Sequence, residues 1–241
     1  MIGIFCSLLL HFLCTSYAHY ISSLGGMNEQ VIATMDRLGD WLNSVNMSWD
    51  NVVDVTTVLS DINDLQSFNK AYGNYLANKN VKFCPAQTCF QPSGICGQDA
   101  GALCEIAVVA SASLKVGMSE DKAVAMIEPK SSIYPFSPVI RLGNYAWLSG
   151  QLDTTGSNTI QQTQNLLVKV KTTLDTAGLS IRDIVTITVI IQNITDTDAV
   201  YTELIKFMGN DEDLPHISFV YPKSLCLGAL VEVSFTCRTD Y

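Results

Sequence analysis

Two glutamates stand at matching positions on strands predicted near the middle and the end of the chain. Glu105 and Glu232 each lie between two apolar residues. A carboxyl group that faces a closed cleft from such a strand has a raised pKa and can exchange protons near neutral pH. The alternating pattern of these strands equally allows each glutamate to point into solvent. Both are therefore candidate acid–base groups, with a surface position as the alternative.

The cysteines are the second set of residues with chemical potential. There are eight, and four of them crowd into one region: Cys84, Cys89, Cys96 and Cys104. Structural zinc needs ligands at short paired spacing, such as Cys-x-x-Cys, and the spacing here is wider and irregular. A nucleophilic cysteine needs an adjacent base, and none of the three histidines lies near Cys89 in the sequence. The pattern favours small core residues over a zinc site or a disulfide among the four.

These candidates belong to an internal repeat. The stretch 41–64 recurs as 173–196, with a constant offset of 132 residues (180 − 48 for the serine pair). The identical pairs in this window are Leu42/Leu174, Ser48/Ser180, Val53/Val185, Thr56/Thr188, Ile62/Ile194 and Asp64/Asp196. In the second copy Ala177-Gly178 ends a helix, and Ile184–Ile191 suits a strand covered on both faces. The repeat predicts two copies of one domain.

Hydrophobic periodicity predicts the order β-β-α-β-α-β-β for each copy, although the first copy is N-terminally incomplete and shows one strand before its first helix. The elements predicted for the first copy are Tyr17–Ser23, Glu29–Val45, Val52–Leu59, Leu65–Ala77, Thr88–Phe90 and Leu103–Ser111. Those for the second are Val139–Leu142, Tyr145–Ser149, Gln162–Ala177, Ile184–Ile191, Val200–Met208, Ile217–Tyr221 and Val231–Cys237. This order implies an α+β fold in which each copy is a mixed β-sheet with two helices on one face. We place the first domain at 19–112, a polar linker at 113–133 and the second domain at 134–241.

Charge and the N-terminal residues limit the partners and the location. The 241 residues carry a formal net charge of −9, and no Lys/Arg cluster offsets it, so nucleic acid is not expected as a partner. The apolar run Ile2–Cys14 is too short to span a bilayer, and no membrane association is expected. Residues 1–18 fit a signal peptide that is cleaved after Ala18, but no Lys or Arg precedes the run; a displaced strand is the alternative. We expect a cytoplasmic protein, or a secreted one if residues 1–18 are a signal peptide.

The order of several short motifs resembles the RidA/YjgF family of reactive-intermediate deaminases. The second copy has Pro135-Phe136-Ser137 where the family has Pro-Tyr-Ser, and Leu148-Ser149-Gly150-Gln151 where the family has a Ser-Gly-Gln strand end. The remaining matches are Gln162, Ala177-Gly178, Pro215 and Val231-Glu232-Val233 in this copy, and Gln30, 68–72 and Cys104-Glu105-Ile106 in the first. The resemblance covers 134–241 and roughly 20–111. It implies two tandem chorismate-mutase-like domains.

The resemblance also implies a ligand cleft whose residues are incomplete here. Family deaminases hold the carboxylate of an imino acid with an arginine two residues after a proline; Gln87 and Ile217 occupy that position. The family's terminal-strand glutamate is kept as Glu105 and Glu232. Asn69 matches the asparagine of the second family helix, which Tyr201 replaces in the second copy.

On this basis the expected ligand-binding residues are Gln87, Asn69, Cys89, Phe136, Ser149 and Ile217. Glu105 and Glu232 are the catalytic candidates, and no metal or cofactor is expected. Because Asn69, Gln87 and Glu105 belong to the first copy, we expect any remaining cleft to be built there.

Tandem copies with incomplete sites also resemble the C-terminal half of eukaryotic diphthine–ammonia ligases. Those enzymes carry an ATP-binding domain with a Ser-Gly-Gly-Lys-Asp motif, which this sequence lacks. We therefore expect an accessory module that binds a small carboxylate or imine-like ligand, or serves as a scaffold, and forms a homo-oligomer through its sheets. The alternatives are a 2-iminobutanoate/2-iminopropanoate-type deaminase and a secreted binding protein.

Overall fold

The computed structural model describes residues 9–14, 25–94, 101–111, 122–125, 135–209 and 214–239. The expected strand at Tyr17–Ser23 lies outside these residues, as do Cys6 and Cys96. Of the N-terminal stretch, Leu9–Cys14 forms a strand (β1) that pairs antiparallel with a strand of the first domain. Within residues 1–18, these six residues are thus in a strand. The location of the protein remains a prediction.

The first domain is a mixed sheet covered by two helices. After β1 come helix α1 (Met27–Ser44), strand β2 (Val52–Leu59), helix α2 (Leu65–Asn78) and strands β3 (Ala86–Gln91) and β4 (Cys104–Ser111). The strand order is β1-β4-β2-β3, with β2 and β3 parallel and the other pairs antiparallel. The apolar stripe of each helix packs on one face of the sheet and excludes water from the core.

The second domain repeats this architecture. It contains strands β5 (Lys122–Ala125), β6 (Val139–Leu142) and β7 (Tyr145–Leu152), helix α3 (Thr159–Thr176), strand β8 (Ile184–Ile191), helix α4 (Thr197–Met208), and strands β9 (His216–Val220), β10 (Ser224–Leu225) and β11 (Val231–Arg238). Its sheet has the order β5-β6-β7-β11-β8-β9. Strand β5 lies in the stretch expected to be a linker, where it extends the sheet beyond β6.

Equivalent glutamines hold the start of the first helix in both domains. In α1, the Gln30 side chain accepts from the backbone N–H of Leu103 at 2.8 Å and donates to the carbonyl of Gly101 at 3.2 Å. In α3, Gln162 accepts from the N–H of Leu230 at 2.9 Å. Each glutamine satisfies a backbone donor just before the last strand of its sheet, which would otherwise be left without a partner. The repeat read from the sequence is therefore a structural repeat, and the two-domain α+β architecture is confirmed.

The two domains join along one seam. Strand β3 of the first domain packs against β7 of the second, and the two-residue strand β10 leaves the second domain to pair antiparallel with β3. The face of β8 turned away from its own helices is partly covered by the first domain, because Ile190 packs beside Phe90. Thr186 and Thr188 on that face stay half-buried, so the expected cover on both faces is complete only near the seam.

Candidate functional site

The backbone of the seam is held by a chain of hydrogen bonds that crosses the domains. The N–H of Gln87 donates to the Ser149 hydroxyl at 2.8 Å, and that hydroxyl donates to the carbonyl of Ser137 at 2.7 Å. The N–H of Ser137 in turn donates to the carbonyl of Pro85 at 3.1 Å. Gln87 and Ser149 are both buried. A buried hydroxyl that both accepts and donates fixes the register of β3 against β7.

Gln87 faces the core of the first domain. Its side-chain N–H donates to the Thr57 hydroxyl of the neighbouring strand at 3.3 Å. Strand alternation places Cys89 on the same face, while Thr88 and Phe90 face the opposite side. The residue that stands in the family's arginine position is therefore at the seam, but it contributes an amide and no charge.

Glu232 lies on β11 in the middle of the second sheet and faces the first domain. Only 3 % of its surface is exposed. A Cβ placed on Gly150 would lie 1.7 Å from its Oε1, so a glycine at this position is what leaves room for the carboxyl group. Its Oε2 has no hydrogen-bond partner among the described residues. Buried polar atoms are nearly always paired, so this oxygen is available to a small ligand or a water molecule.

The protonation of Glu232 follows from these surroundings. Burial raises the pKa of Glu232 well above its ordinary value; the neighbouring Cys226 adds to the shift, and a hydrogen bond from the Cys89 backbone opposes it. Burial thus favours the protonated form of this carboxyl, which can donate a hydrogen bond as well as accept one. The seam thus contains a buried carboxyl group that hydrogen-bonds to the Cys89 backbone, two residues along β3 from Gln87.

Two cysteine thiols complete the seam. Cys226 follows β10, and its Sγ lies 3.1 Å from the carbonyl oxygen of Cys89. The hydrogen bond with Cys226, followed by burial, raises the pKa of Cys89, and the same hydrogen bond lowers the pKa of Cys226. Cys84, Cys104 and Cys237 are also buried. The expectation that the cysteines are core residues agrees with these five, and the described residues contain no cluster that could hold a metal ion.

A cavity of about 490 Å³ lies between the two sheets, on the other face of β3. Thr88 and Phe90 line it from the first domain, and Trp147 and Ile190 from the second. Asp54 also lines it, and loss of water around its carboxyl raises the pKa of Asp54 to about 7. The lining is mostly apolar and includes the hydroxyl groups of several threonines, a combination that is common in ligand pockets.

The structure groups the expected site residues differently from the sequence. Gln87 and Cys89 of the first copy meet Ser149 and Glu232 of the second. Glu105 is not at the seam: it is half-buried on β4, and β2 separates it from β3. We expected Gln87 and Glu105 to share a cleft within the first copy, but the second copy supplies the glutamate.

The other three expected residues lie apart from the hydrogen-bonded chain. Asn69 is on the buried side of α2. Ile217 is on β9, at the far edge of the second sheet, where it packs on that domain's own core. Phe136 precedes β6 and is half-buried next to Ser137. Sequence reasoning missed Cys226, because it stands in a segment without any periodic pattern.

The repeated fold and the seam define a tandem module of the RidA type. Residues 21–112 and 126–238 match the family model described as endoribonuclease L-PSP. These segments make up most of the chain, and the chain therefore belongs to the endoribonuclease L-PSP family. The resemblance to RidA-like tandem copies is confirmed.

Solved structures similar to this chain each align with about half of it. A conserved Rid-family protein, YyfA from Yersinia pestis, is 28% identical and covers 49% of this chain and 99% of its own, with a TM-score of 0.44. A YjgF/YER057c/UK114 family member from Mycobacterium tuberculosis is 21% identical over 49% and 99%, with a TM-score of 0.45. RidA from an Antarctic Psychrobacter is 19% identical over 49% and 98%, with a TM-score of 0.43. No curated protein matches the chain.

Proposed function

We propose that this chain is a ligand-binding tandem module with little deaminase activity, and that its seam holds a small molecule with a carboxyl, imine or carbonyl group. The observation that carries the proposal is the buried Glu232, whose Oε2 lacks a partner among the described residues. Its carboxyl hydrogen-bonds to the backbone of Cys89, two residues along β3 from Gln87 in the family's arginine position. The ligand would sit between domains, with one polar group from each copy.

The chemistry of the two groups supports binding more than catalysis. A guanidinium grips a carboxylate with two charged hydrogen bonds, whereas Gln87 has only amide N–H donors. Loss of a charged contact of this kind costs on the order of several kcal/mol, which is a loss of about 10²-fold or more in affinity. In its protonated form Glu232 can donate a hydrogen bond to a carbonyl or imine group, but that form has no free electron pair with which to take a proton from water and must ionise before it can act as a base.

Calorimetric titration with 2-oxobutanoate tests the binding site. We expect Gln87→Ala and Glu232→Gln each to weaken binding by about 10-fold, because each removes or alters one hydrogen bond in a buried site. Glu105→Gln is the matched control on the equivalent strand of the first domain, and its affinity should equal that of the wild type. The proposal is wrong if Glu105→Gln abolishes binding while the two seam variants bind normally.

A coupled assay with an amino-acid oxidase tests the low activity. The oxidase generates a 2-imino acid in place, and hydrolysis is followed against an arginine-containing family member. We expect at least about 10²-fold slower turnover for this chain. Gln87→Arg should tighten binding of 2-oxobutanoate, since it restores the charged contact. Wild-type turnover equal to that of the reference enzyme would favour the deaminase alternative.

A second candidate function is that of an accessory half of a diphthine–ammonia ligase. Two observations support it: the chain contains two tandem family domains, and both lack the family's arginine. The C-terminal half of those ligases resembles this arrangement. In that role the module would bind or support a separate ATP-binding domain. Genomic sequence upstream of Met1 tests this: an in-frame ATP-binding domain supports it, and an unrelated or closed reading frame contradicts it.

Assembly and location are part of the same proposal. Half-buried Thr186 and Thr188 on the open side of β8 support a homo-oligomer that packs through its sheets; sedimentation showing a stable monomer at micromolar concentration would contradict it.

Within the described residues, no helix combines the length and apolar character needed to cross a membrane. We propose a cytoplasmic location, and a mature N-terminus found in culture medium would indicate secretion instead.

A further inference from the structure

Cys89 and Cys226 face each other across the boundary between the domains. Strand β10 pairs with β3 in the register Ser224 to Gln91 and Leu225 to Phe90. One further step along both chains places Cys226 opposite Cys89. The short distance from the Cys226 Sγ to the Cys89 carbonyl agrees with that register.

Directly opposed residues suit a disulfide. In antiparallel pairs the Cα atoms of opposed residues are about 4.5–5.5 Å apart, and disulfides join Cα atoms about 4.4–6.8 Å apart. Cys104 offers no such geometry to Cys89, because β2 lies between β4 and β3 and two strand spacings amount to about 9.5 Å. The register therefore selects Cys226 as the partner of Cys89.

The chemical state of the pair favours exchange. In its neutral form the Cys226 thiol donates to the Cys89 carbonyl; on ionisation it accepts the hydrogen bond from Cys89 that lowers its pKa. A thiolate is the attacking species in thiol–disulfide exchange.

Access to Cys226 comes from the turn that follows it. Cys226 is buried, with 7 % of its surface exposed, but the next residue, Leu227, is 65 % exposed and has a positive φ of 58°. A non-glycine residue in this conformation is strained, and β10 contains only two residues. Local opening of this short segment would expose the Cys226 sulfur to a small reagent without unfolding either domain.

We propose that Cys89 and Cys226 form a reversible disulfide that covalently joins the two domains when the protein meets a low-molecular-weight disulfide such as oxidised glutathione. The Cys226 thiolate attacks one glutathione sulfur, the glutathione S–S bond breaks, and one glutathione thiolate leaves. The Cys89 thiol then loses its proton and attacks Cys226 sulfur in the mixed disulfide, which releases the second glutathione. Two protein thiols are oxidised, and one oxidised glutathione is reduced to two molecules of glutathione.

The bond would fix the seam in the oxidised state. It links residues 137 positions apart in the chain, so it would remove much of the freedom of the unfolded state. For a chain of this size the stabilisation corresponds to a rise in melting temperature of about 10 °C. Oxidation would also convert the Cys226 thiol, which neighbours Glu232, into a disulfide sulfur that cannot donate a hydrogen bond.

The test uses the full chain, equilibrated with oxidised glutathione, blocked with iodoacetamide and digested without reduction. Mass spectrometry should find a peptide that joins Cys89 to Cys226 and is two hydrogen atoms lighter than the sum of its parts. The melting temperature should rise on oxidation in the wild type and in Cys237→Ser, a buried cysteine in the other core, but not in Cys226→Ser. A stable glutathione adduct at either residue, a different pairing such as Cys84 with Cys89, or no oxidation at all would overturn the proposal. Peptide mapping of the wild type decides the matter even if a variant fails to fold.

Discussion

Replacing Gly150 by alanine should break the fit between β7 and Glu232. The added Cβ would lie 1.7 Å from Oε1, 2.7 Å from Cδ and 3.1 Å from Cγ of Glu232. Ordinary contacts begin near 3.4 Å, so the carboxyl end must move by nearly 2 Å in a region that is almost fully buried. Overpacking of this kind costs about 1–3 kcal/mol. Loss of the hydrogen bond from the Cys89 backbone adds about 1 kcal/mol, which gives about 2–4 kcal/mol in total.

Urea unfolding of a double-mutant cycle measures this cost. Gly150→Ala should lower the free energy of unfolding by the stated amount in the wild type, but by less than about 1 kcal/mol in a Glu232→Ala background, where the clash is absent. Gly94→Ala is the matched control, because a Cβ there meets nothing within 4 Å, and its effect should stay within about 0.5 kcal/mol. An equal cost in both backgrounds would show that the clash with Glu232 is not the cause.

Three further predictions concern the second domain and the seam. The pKa of Glu232 is higher in the folded than in the unfolded protein. The stabilisation by its protonated carboxyl is therefore fully present below the ordinary pKa of 4.5 and falls by about 1.4 kcal/mol per pH unit as the pH rises from there toward the folded pKa. In Glu232→Gln, the free energy of unfolding measured by urea titration should decrease less over this pH range. Asp153 is buried and pairs with Lys169 at 2.8 Å, which holds the pKa of Asp153 far below 3.8. The stabilisation that the Asp153 carboxylate contributes is therefore present above pH 3.8 and is lost as the pH falls below it. Asp153→Asn should lower the free energy of unfolding at neutral pH and reduce its loss in acid. Ser149→Ala leaves the buried N–H of Gln87 without its acceptor and should cost about 1–3 kcal/mol in chemical denaturation.

Each of these predictions has an outcome that contradicts it. For Glu232, an unchanged slope of stability with pH in the Gln variant would mean that the carboxyl does not carry the effect. For Asp153, a variant that keeps the wild-type loss of stability in acid would assign that loss to other carboxylates. For Ser149, the control is Ser157→Ala, which removes the exposed hydroxyl that donates to Gln161; equal costs for both serines would refute a special role for the seam.

Local pattern was sufficient to predict the regular elements. The β-branched run of β8 is bounded by a capping box at Ser180 and by Asn193, and its limits Ile184–Ile191 were predicted to the residue. The same signals around Ser48 define β2. Such boundaries depend on the chemistry of a few neighbouring residues, which a sequence displays directly.

The candidate site depends on contacts that no local pattern contains. Glu105 and Glu232 occupy the same position in strands with a similar alternating pattern, yet Glu105 is half-buried and Glu232 is almost fully buried against the neighbouring domain. What distinguishes them is β3 of the first domain, which covers the second sheet. The pairing of β10 with β3, which brings Cys226 to Cys89, is likewise a contact between distant parts of the chain, made by a strand of two residues.

The seam makes the two copies inequivalent, although they began as the same pattern. Within one chain, the first copy offers β3 to its neighbour and the second copy receives it, so corresponding residues are selected for different surroundings. Gln87 at the seam hydrogen-bonds to Thr57, whereas its counterpart Ile217 packs on an apolar core. Exchange of these two side chains would bury the glutamine amide among the apolar side chains of the second core and leave the Thr57 hydroxyl without the hydrogen bond it accepts from Gln87. The duplicated domain is thus no longer interchangeable with itself: a substitution that is harmless in one half has a different meaning in the other.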